Sequence, residues 1–475
     1  MDINTVKKVH VIGICGVATS ALAIAFHNKG IKVSGSDKGF YPPVSTELEK
    51  TGINFYAGWH PEKMSEGGDP DIIIIGTASG SANPETIYAK EKNIKTYSFA
   101  EAIGEFFVKE KSIVCAGTWG KTSSSTLLSF ILEKANYNPT YMFGGISLSH
   151  ESSAKLTDSK WSVFEGDEYK SSPTDNNPKF FYYKPTHLLL SAVSWDHADL
   201  YPTEESYFAV FNKLVSDIPE DGLIVYCKDH TGANKILNNY SGHSVTYGKK
   251  YDGVDYGYYG VEQNKNGLHF TIENDRKCYE IISPMIGEFQ AENITGAFAM
   301  ASSLGIVTDD VVSAIREFKG LKRRLEKRFE GEGASKKITV FDDIAHSPEK
   351  ANSVLESLRK IYKGKITVVF EPNIGARRRE IVHKYDNAFK FADEVIIPRL
   401  TKLKISSDEN TPIDGEELNQ IISKTHKNSK YIDDDNSLVE YLIENSKDED
   451  IIAFLGAHGF RNMIEETVSK LKNNK

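Results

Sequence analysis

Cysteine is scarce in this chain of 475 residues: four in all, Cys15, Cys115, Cys227 and Cys278, set far apart. None is paired with another at the spacing of a zinc hook or a redox dithiol. A disulfide scaffold is excluded, and the four read as small core residues in a reducing compartment. Long apolar runs are missing too. Residues 72–75 and 188–193 are far too short to cross a bilayer, so no membrane span is expected. No secretory leader is read at Met1-Asp-Ile-Asn4, which leads straight into a strand, and a cytoplasmic enzyme is the expectation. Basic residues are outnumbered, 57 against 66, for a net charge of −9. That balance speaks against broad affinity for nucleic acid or anionic membrane, while leaving room for a local basic pocket. The length exceeds what one hydrophobic core organises, so two or three domains are expected.

What is present is concentrated around Ser112. A short apolar strand over residues 113–116 runs into a glycine turn carrying Lys121 and Thr122, then into a helix beginning near Ser123. This order suits a phosphate. Glycines admit backbone N–H groups to the anion, the helix N-terminus adds partial positive charge, and Lys121 adds a full one. The Thr122 hydroxyl is placed to ligate Mg²⁺. Cys115 stands where the full P-loop pattern has its first glycine, so the match is to a shortened form, Gly117-Thr118-x-Gly120-Lys121-Thr122. A plain tight turn in an α/β unit is the alternative.

The first hundred residues alternate strand and helix. A strand over 9–12 ends in Gly13-Ile-Cys-Gly16, a helix follows over 19–28, and a strand over 31–34 leads into Gly35-Ser36-Asp37. This is a Rossmann-like opening. Asp37 lies where a ribose-binding acid would stand, but Cys15 occupies the place of the middle glycine of the dinucleotide pattern. NAD, another nucleotide or nucleotide sugar, and a purely structural turn all remain open. Further strands are expected over 161–164, 187–192 and 223–226, with a partly exposed Tyr/Gly-rich ribbon at 251–259 and an Ala-rich helix over 291–304. A composition break at 330–337 reads as a linker or hairpin, after which strands recur over 338–341, 366–370, 394–397 and 451–455. The fold class is therefore α/β in three domains. Residues 1–110 form a Rossmann-like domain, 111–329 a central P-loop ATPase-type domain, and 330–475 a C-terminal Rossmann-like domain.

Several clusters carry chemistry. Phe164-Glu165-Gly-Asp167-Glu168-Tyr169 places three carboxylates after a strand, where one could hold Mg²⁺ against phosphates or remain a solvated acid. Asp196-His197-Ala-Asp199 follows another apolar strand; metal binding, proton transfer and a structural role are all open. The basic run Lys322-Arg323-Arg324-Leu-Glu-Lys-Arg328 reads as a nucleic-acid patch, a solvated helix face, or an arginine reaching phosphates. Phe341-Asp342-Asp343-Ile-Ala-His346-Ser-Pro348 closes a strand and opens a helix.

Together these motifs resemble the Mur ligases of peptidoglycan metabolism, and the resemblance recurs in every domain. That likeness implies an ATP-dependent ligase that activates the lactyl carboxylate of UDP-N-acetylmuramate as an acyl phosphate and joins it to an amine. It implies that Gly117, Thr118, Gly120, Lys121, Thr122 and Ser123 hold ATP, that Asn293 contacts adenine, and that Arg324 and Asp343 bear on the nucleotide. Thr122, Glu165 and His197 are implied at Mg²⁺. Gly13, Gly16, Ser36 and Asp37 are implied at the UDP-sugar. Lys121, His197, Arg324 and His346 are implied in catalysis, His346 as the base for the amine. Fragments such as Tyr41-Pro-Pro-Val-Ser-Thr46, Lys322-Arg-Arg-Leu-Glu326 and Glu371-Pro372 are most similar to the recycling ligases. These attach L-Ala-γ-D-Glu-meso-diaminopimelate, and the L-alanine ligases are the near neighbour. The chain departs from relatives at Trp119, Phe289-Gln290, Ser347 and Asn373-Ile-Gly-Ala376. A P-loop kinase or NTPase, and a nucleotide-sugar-binding protein with a decayed site, are the rivals outside the family.

Overall fold

Three large sheets and one two-stranded sheet, Lys170–Ser172 with Asp175–Pro178, are formed by the described residues, and the first two large sheets place a glycine turn at the ends of their central strands. The computed structural model describes residues 1–40, 44–76, 80, 82–197, 200–251, 253–331, 337–401 and 412–473. Asp199, the Tyr41-Pro-Pro43 fragment and most of the 330–337 break therefore lie outside the described residues.

The first sheet has five parallel strands in the order Asn54–Ala57, Lys32–Asp37, Lys8–Ile12, Ile72–Ile75, Lys95–Ser98. Alternate residues of Lys8–Ile12 serve opposite faces. Val9 and Val11 pack with Leu22 and Phe26 of helix Val17–Asn28, while Ile12 packs with Met64 and Ala89 on the other side. The strand order reverses direction at Lys8–Ile12. A crevice opens at such a switch point, and the Gly13–Gly16 turn stands there.

The second sheet has ten strands, and Lys111–Ala116 lies within it between Trp161–Gly166 and His187–Leu190, parallel to both. Its apolar residues are almost wholly buried, which explains a near-continuous hydrophobic run without alternation. Helix Lys121–Lys134 follows the glycine turn, and the Ala-rich helix is Phe289–Ser303. Of the Tyr/Gly-rich stretch at 251–259, the last four residues are strand, at the start of Tyr256–Asn264.

The third sheet runs Glu326–Glu330, Thr339–Asp343, Ile451–Gly456, Ile366–Glu371, Glu394–Pro398, Ser429–Ile432, parallel except for the antiparallel first pair. That antiparallel pair flanks the composition break, most of which lies outside the described residues. Its first strand begins ahead of residue 330. By contacts the chain forms two compact units. One holds the first two sheets up to Lys319; the other holds Gly320–Lys475 with the short stretches Glu262–Leu268 and Pro284–Glu288.

Two expectations are corrected. Cys278 is exposed and is not a core residue, unlike Cys15, Cys115 and Cys227. The basic run is not a helix face. Arg323 and Leu325 have φ of 57° and 49°, which no right-handed helix admits, and residues 326–330 form an edge strand. No helix among the described residues is long and apolar enough to cross a membrane.

Within the third sheet, Glu394 is buried at the start of its strand. It accepts hydrogen bonds from Lys365 (2.6 Å), Lys430 (2.7 Å) and Tyr441 (2.6 Å). Burial alone would raise its pKa, but these donors outweigh it and hold the carboxyl at about 2. Because the folded value is depressed, the stabilisation is present above the ordinary carboxylate range and is lost as pH falls toward 2. The stability gap between wild type and Glu394→Gln should therefore shrink by roughly 2–3 kcal/mol between pH 6 and pH 2, read from denaturant unfolding at each pH. A constant gap would show that the carboxylate charge contributes nothing.

Candidate active site

Parallel register sets the first contact of the site. Cys115 pairs with Glu165 and Ala116 with Gly166, so the acidic strand ends level with the phosphate loop. Glu165 Oε1 accepts a hydrogen bond from Thr122 Oγ1 at 2.7 Å, and Oε2 accepts one from the Gly144 amide at 2.6 Å. Two hard oxygen donors thus stand side by side, a set that suits Mg²⁺. Gly117 and Gly120 have φ of 131° and 81°. A side chain at 117 would strike Ser191 and Ala192, and one at 120 would strike Asn293. Asn293 is buried, donates to Gln290 at 3.0 Å, and packs directly on the loop. Thr118 is tied to Ser194 and to the Tyr207 hydroxyl. Helix Lys121–Lys134, with Ser123 in its first turn, has no side-chain cap, so its leading amides are available to an anion.

Lys121 donates to the Gly117 carbonyl at 2.7 Å, and its ammonium lies 2.9 Å from Glu168. Glu168 is 1% exposed. Burial raises its pKa, and Lys121 opposes that rise. His197 Nε2 stands 3.6 Å from the same carboxylate, on a backbone with φ of 52°. Two of the expected residues, Lys121 and His197, therefore meet at Glu168, while Thr122 and Glu165 meet each other. Glu168 was quoted in the acidic motif without a role. Its importance comes from depth, which spacing does not reveal.

A cavity of about 500 Å³ joins this site to the first sheet. Gly13, Gly16 and Asp37 line it at one side; Gly144, Glu165 and Asp167 line it at the other. Helix Val17–Asn28 points an uncapped N-terminus into it. Asp37 holds the turn in shape by accepting from the Cys15 amide at 2.8 Å. Ser36 is not part of the wall: it is fully buried and its hydroxyl donates to Glu85 behind the turn. Lys179 also lines the cavity, ion-paired with Asp167. Nothing in the run Pro178-Lys179-Phe180 marked it.

The remaining expected residues lie in the second compact unit. Asp343 is buried and does not present a free carboxylate. Its oxygens accept from the amides of Leu325 and Ala345, each at 2.7 Å. Burial raises its pKa, and these amides and Arg324 oppose the rise. Asp343 thereby holds the left-handed turn that carries Arg323 and Arg324. The two arginines differ. Arg323 donates to the carbonyls of Gly456 (2.6 Å) and His458 (2.8 Å) and pairs with Asp342, whereas Arg324 is exposed. His346 Nδ1 lies 2.6 Å from the Ile344 carbonyl, which assigns the proton to Nδ1 and leaves Nε2 as the basic nitrogen. Burial and the charge of Lys350 lower its pKa, so the ring is neutral near pH 7. Ser347 caps helix Pro348–Ile361.

Sequence models of protein families match in order along the chain. "Mur ligase family, catalytic domain" matches residues 8–110, "Mur ligase middle domain" residues 115–301, and "Mur ligase, glutamate ligase domain" residues 327–458. The UDP-N-acetylmuramate–L-alanine ligase of Rhizobium etli is 28% identical over 463 residues, covering 96% of this chain and 94% of that one. The UDP-N-acetylmuramate–L-alanyl-γ-D-glutamyl-meso-2,6-diaminoheptandioate ligase of Haemophilus influenzae is 28% identical over 472 residues, covering 98% and 99%. Among solved structures, the UDP-N-acetylmuramate–alanine ligase of Thermotoga maritima has the same fold. Its TM-score is 0.79 at 23% identity, over 98% of this chain and 100% of that one.

The two arginines should separate by experiment. Arg323→Ala should lower stability by about 1–2 kcal/mol through lost charge-assisted hydrogen bonds. Arg324→Ala should leave stability within ~0.5 kcal/mol and reduce nucleotide turnover at least ~100-fold. Thermal unfolding and phosphate release measure the two effects; normal turnover in Arg324→Ala would remove it from the phosphate site.

Proposed function

The chain belongs to the Mur ligase family and is an ATP-dependent amide ligase of peptidoglycan metabolism; from that premise we propose that it joins the lactyl carboxylate of UDP-N-acetylmuramate to the amine of L-alanyl-γ-D-glutamyl-meso-diaminopimelate. The observation that carries the reading is the continuous cavity from the Gly13–Gly16 turn to Glu165. A nucleotide sugar needs a diphosphate cradle at one end and an activation centre at the other, and the cavity offers both. Nucleotide sugars and ATP are made inside the cell, so we place the reaction in the cytoplasm.

The uncapped helix at Val17 receives the diphosphate. The acidic sugar end extends toward Glu165, with Lys179 as a counter-charge. Lys121 leaves Glu168 to neutralise the terminal phosphates of ATP, which the amides of helix Lys121–Lys134 also hold. Thr122 and Glu165 would hold Mg²⁺, with His197 as a further position, and the ion supplies charge neutralisation on the phosphates. Asn293 meets the adenine, and Arg324 is assigned to phosphate. A carboxylate is a poor acylating agent because its oxygen leaves badly. Transfer of the γ-phosphoryl group to the lactyl carboxylate creates an acyl phosphate, the neutral amine attacks its carbonyl carbon, and inorganic phosphate departs. His346 Nε2 takes the amine proton.

L-Alanine is the second acceptor, favoured by the equal identity to relatives of both kinds. Phosphate release with ATP, Mg²⁺ and UDP-N-acetylmuramate should show kcat/KM at least ~10-fold higher with the tripeptide than with L-alanine, a difference of about 1.4 kcal/mol in transition-state binding. The reverse order would assign L-alanine. Lys121→Ala should reduce both rates at least ~100-fold; undiminished turnover would remove Lys121 from the reaction.

A further inference from the structure

Behind the phosphate loop, three side chains of different chemistry converge outside the machinery described so far. Cys227 ends strand Leu223–Cys227 and is fully buried. His230 stands three residues on, immediately ahead of helix Thr231–Leu237, and Glu292 lies in the first turn of helix Phe289–Ser303. His230 Nε2 is 3.0 Å and 3.1 Å from the two Glu292 oxygens. One ligand atom from each residue lies within 4.8 Å of the other two, and among the described residues no other group of three such side chains meets that test.

We propose that Cys227, His230 and Glu292 form a binding site for a thiophilic divalent cation of the zinc class. A tetrahedral ion with bonds of ~2.0–2.3 Å separates its ligand atoms by roughly 3.3–3.7 Å. The imidazole and carboxylate already stand near that spacing, so with all three ligand atoms within 4.8 Å of one another closure requires at most about 1 Å of movement by the thiol. The donor set is sulfur, nitrogen and oxygen, which selects zinc over the all-oxygen preference of magnesium. The Cys227-x-x-His230 spacing is that of a metal hook with histidine in place of the second cysteine. On binding, the thiol proton and the proton that Nε2 directs at Glu292 both pass to solvent, the neutral imidazole holds its one proton on Nδ1, and three lone pairs coordinate. A fourth position stays with water. The ion would lie beside Trp119, whose ring meets His230 edge-on at 6.5 Å, and one residue from Asn293. This site is independent of the acceptor and of the ligase reading.

Cobalt is the probe, because a thiolate bound to Co²⁺ gives a charge-transfer absorption band. The full-length protein, stripped with chelator, should bind one equivalent of Co²⁺ with that band, and Zn²⁺ should displace it. Cys227→Ser should abolish the band. His230→Gln, at a partly exposed position, should weaken Co²⁺ binding at least ~10-fold and serves if Cys227→Ser fails to fold. Cys278→Ser should leave the band intact, because Cys278 is exposed and elsewhere in the fold. Absence of the band in wild type, its persistence in Cys227→Ser, or its loss in Cys278→Ser would overturn the site.

Discussion

The candidate centre depends on one register. With strand Trp161–Gly166 paired in parallel to Lys111–Ala116, so that Cys115 faces Glu165, the carboxylate reaches Thr122 across the first turn of the following helix. A shift by one residue would turn Glu165 to the opposite face of the sheet and leave Thr122 without its partner. Burial on both faces makes that slip costly, because every apolar residue of the strand would have to change sides. The chemistry of the loop is thus held in place by the hydrophobic pattern beneath it.

Charge is arranged around that frame with little left unpaired. Lys121 is buried enough to need a counter-ion, and Glu168 supplies one from a position with almost no solvent. The pair keeps a cation beside the glycine turn, where Lys121 also donates to the Gly117 carbonyl. Tyr207 and His197 approach the same carboxylate, so one buried acid coordinates the loop, a tyrosine and a histidine. In the second compact unit Asp343 does comparable work through backbone amides. It holds two left-handed residues in a turn, which fixes Arg323 to the sheet and leaves Arg324 exposed. Acidic residues that look like ligands in the motifs are, in these two cases, the supports of basic ones.

Much of the architecture was legible beforehand, because buried parallel strands read as short apolar runs and glycine turns mark their ends. The strands that begin at Trp161 and His187, the helix of the Lys121 turn and the Ala-rich helix stand where the pattern put them, with ends that differ by about two residues. Of the readings open for the Lys322–Arg328 run only the helix face is overturned, since a charge run alone does not distinguish a helix face from a turn and an edge strand. Ser36 misled because proximity to a glycine turn does not say which way a hydroxyl points. Lys179 and Glu292 gave little signal, because their partners Asp167 and His230 lie 12 and 62 residues away in the chain.

The sequence by itself determined the local items: a strand–glycine turn–helix unit carrying Lys121 and Thr122, an acidic strand end, a first glycine turn and three α/β segments, each set by short-range spacing and apolar periodicity. Only the tertiary structure decided which of these face one cavity, which carboxylates are buried and which cations they hold. Burial and long-range pairing are properties of packed sheets, and no spacing within a single segment encodes them.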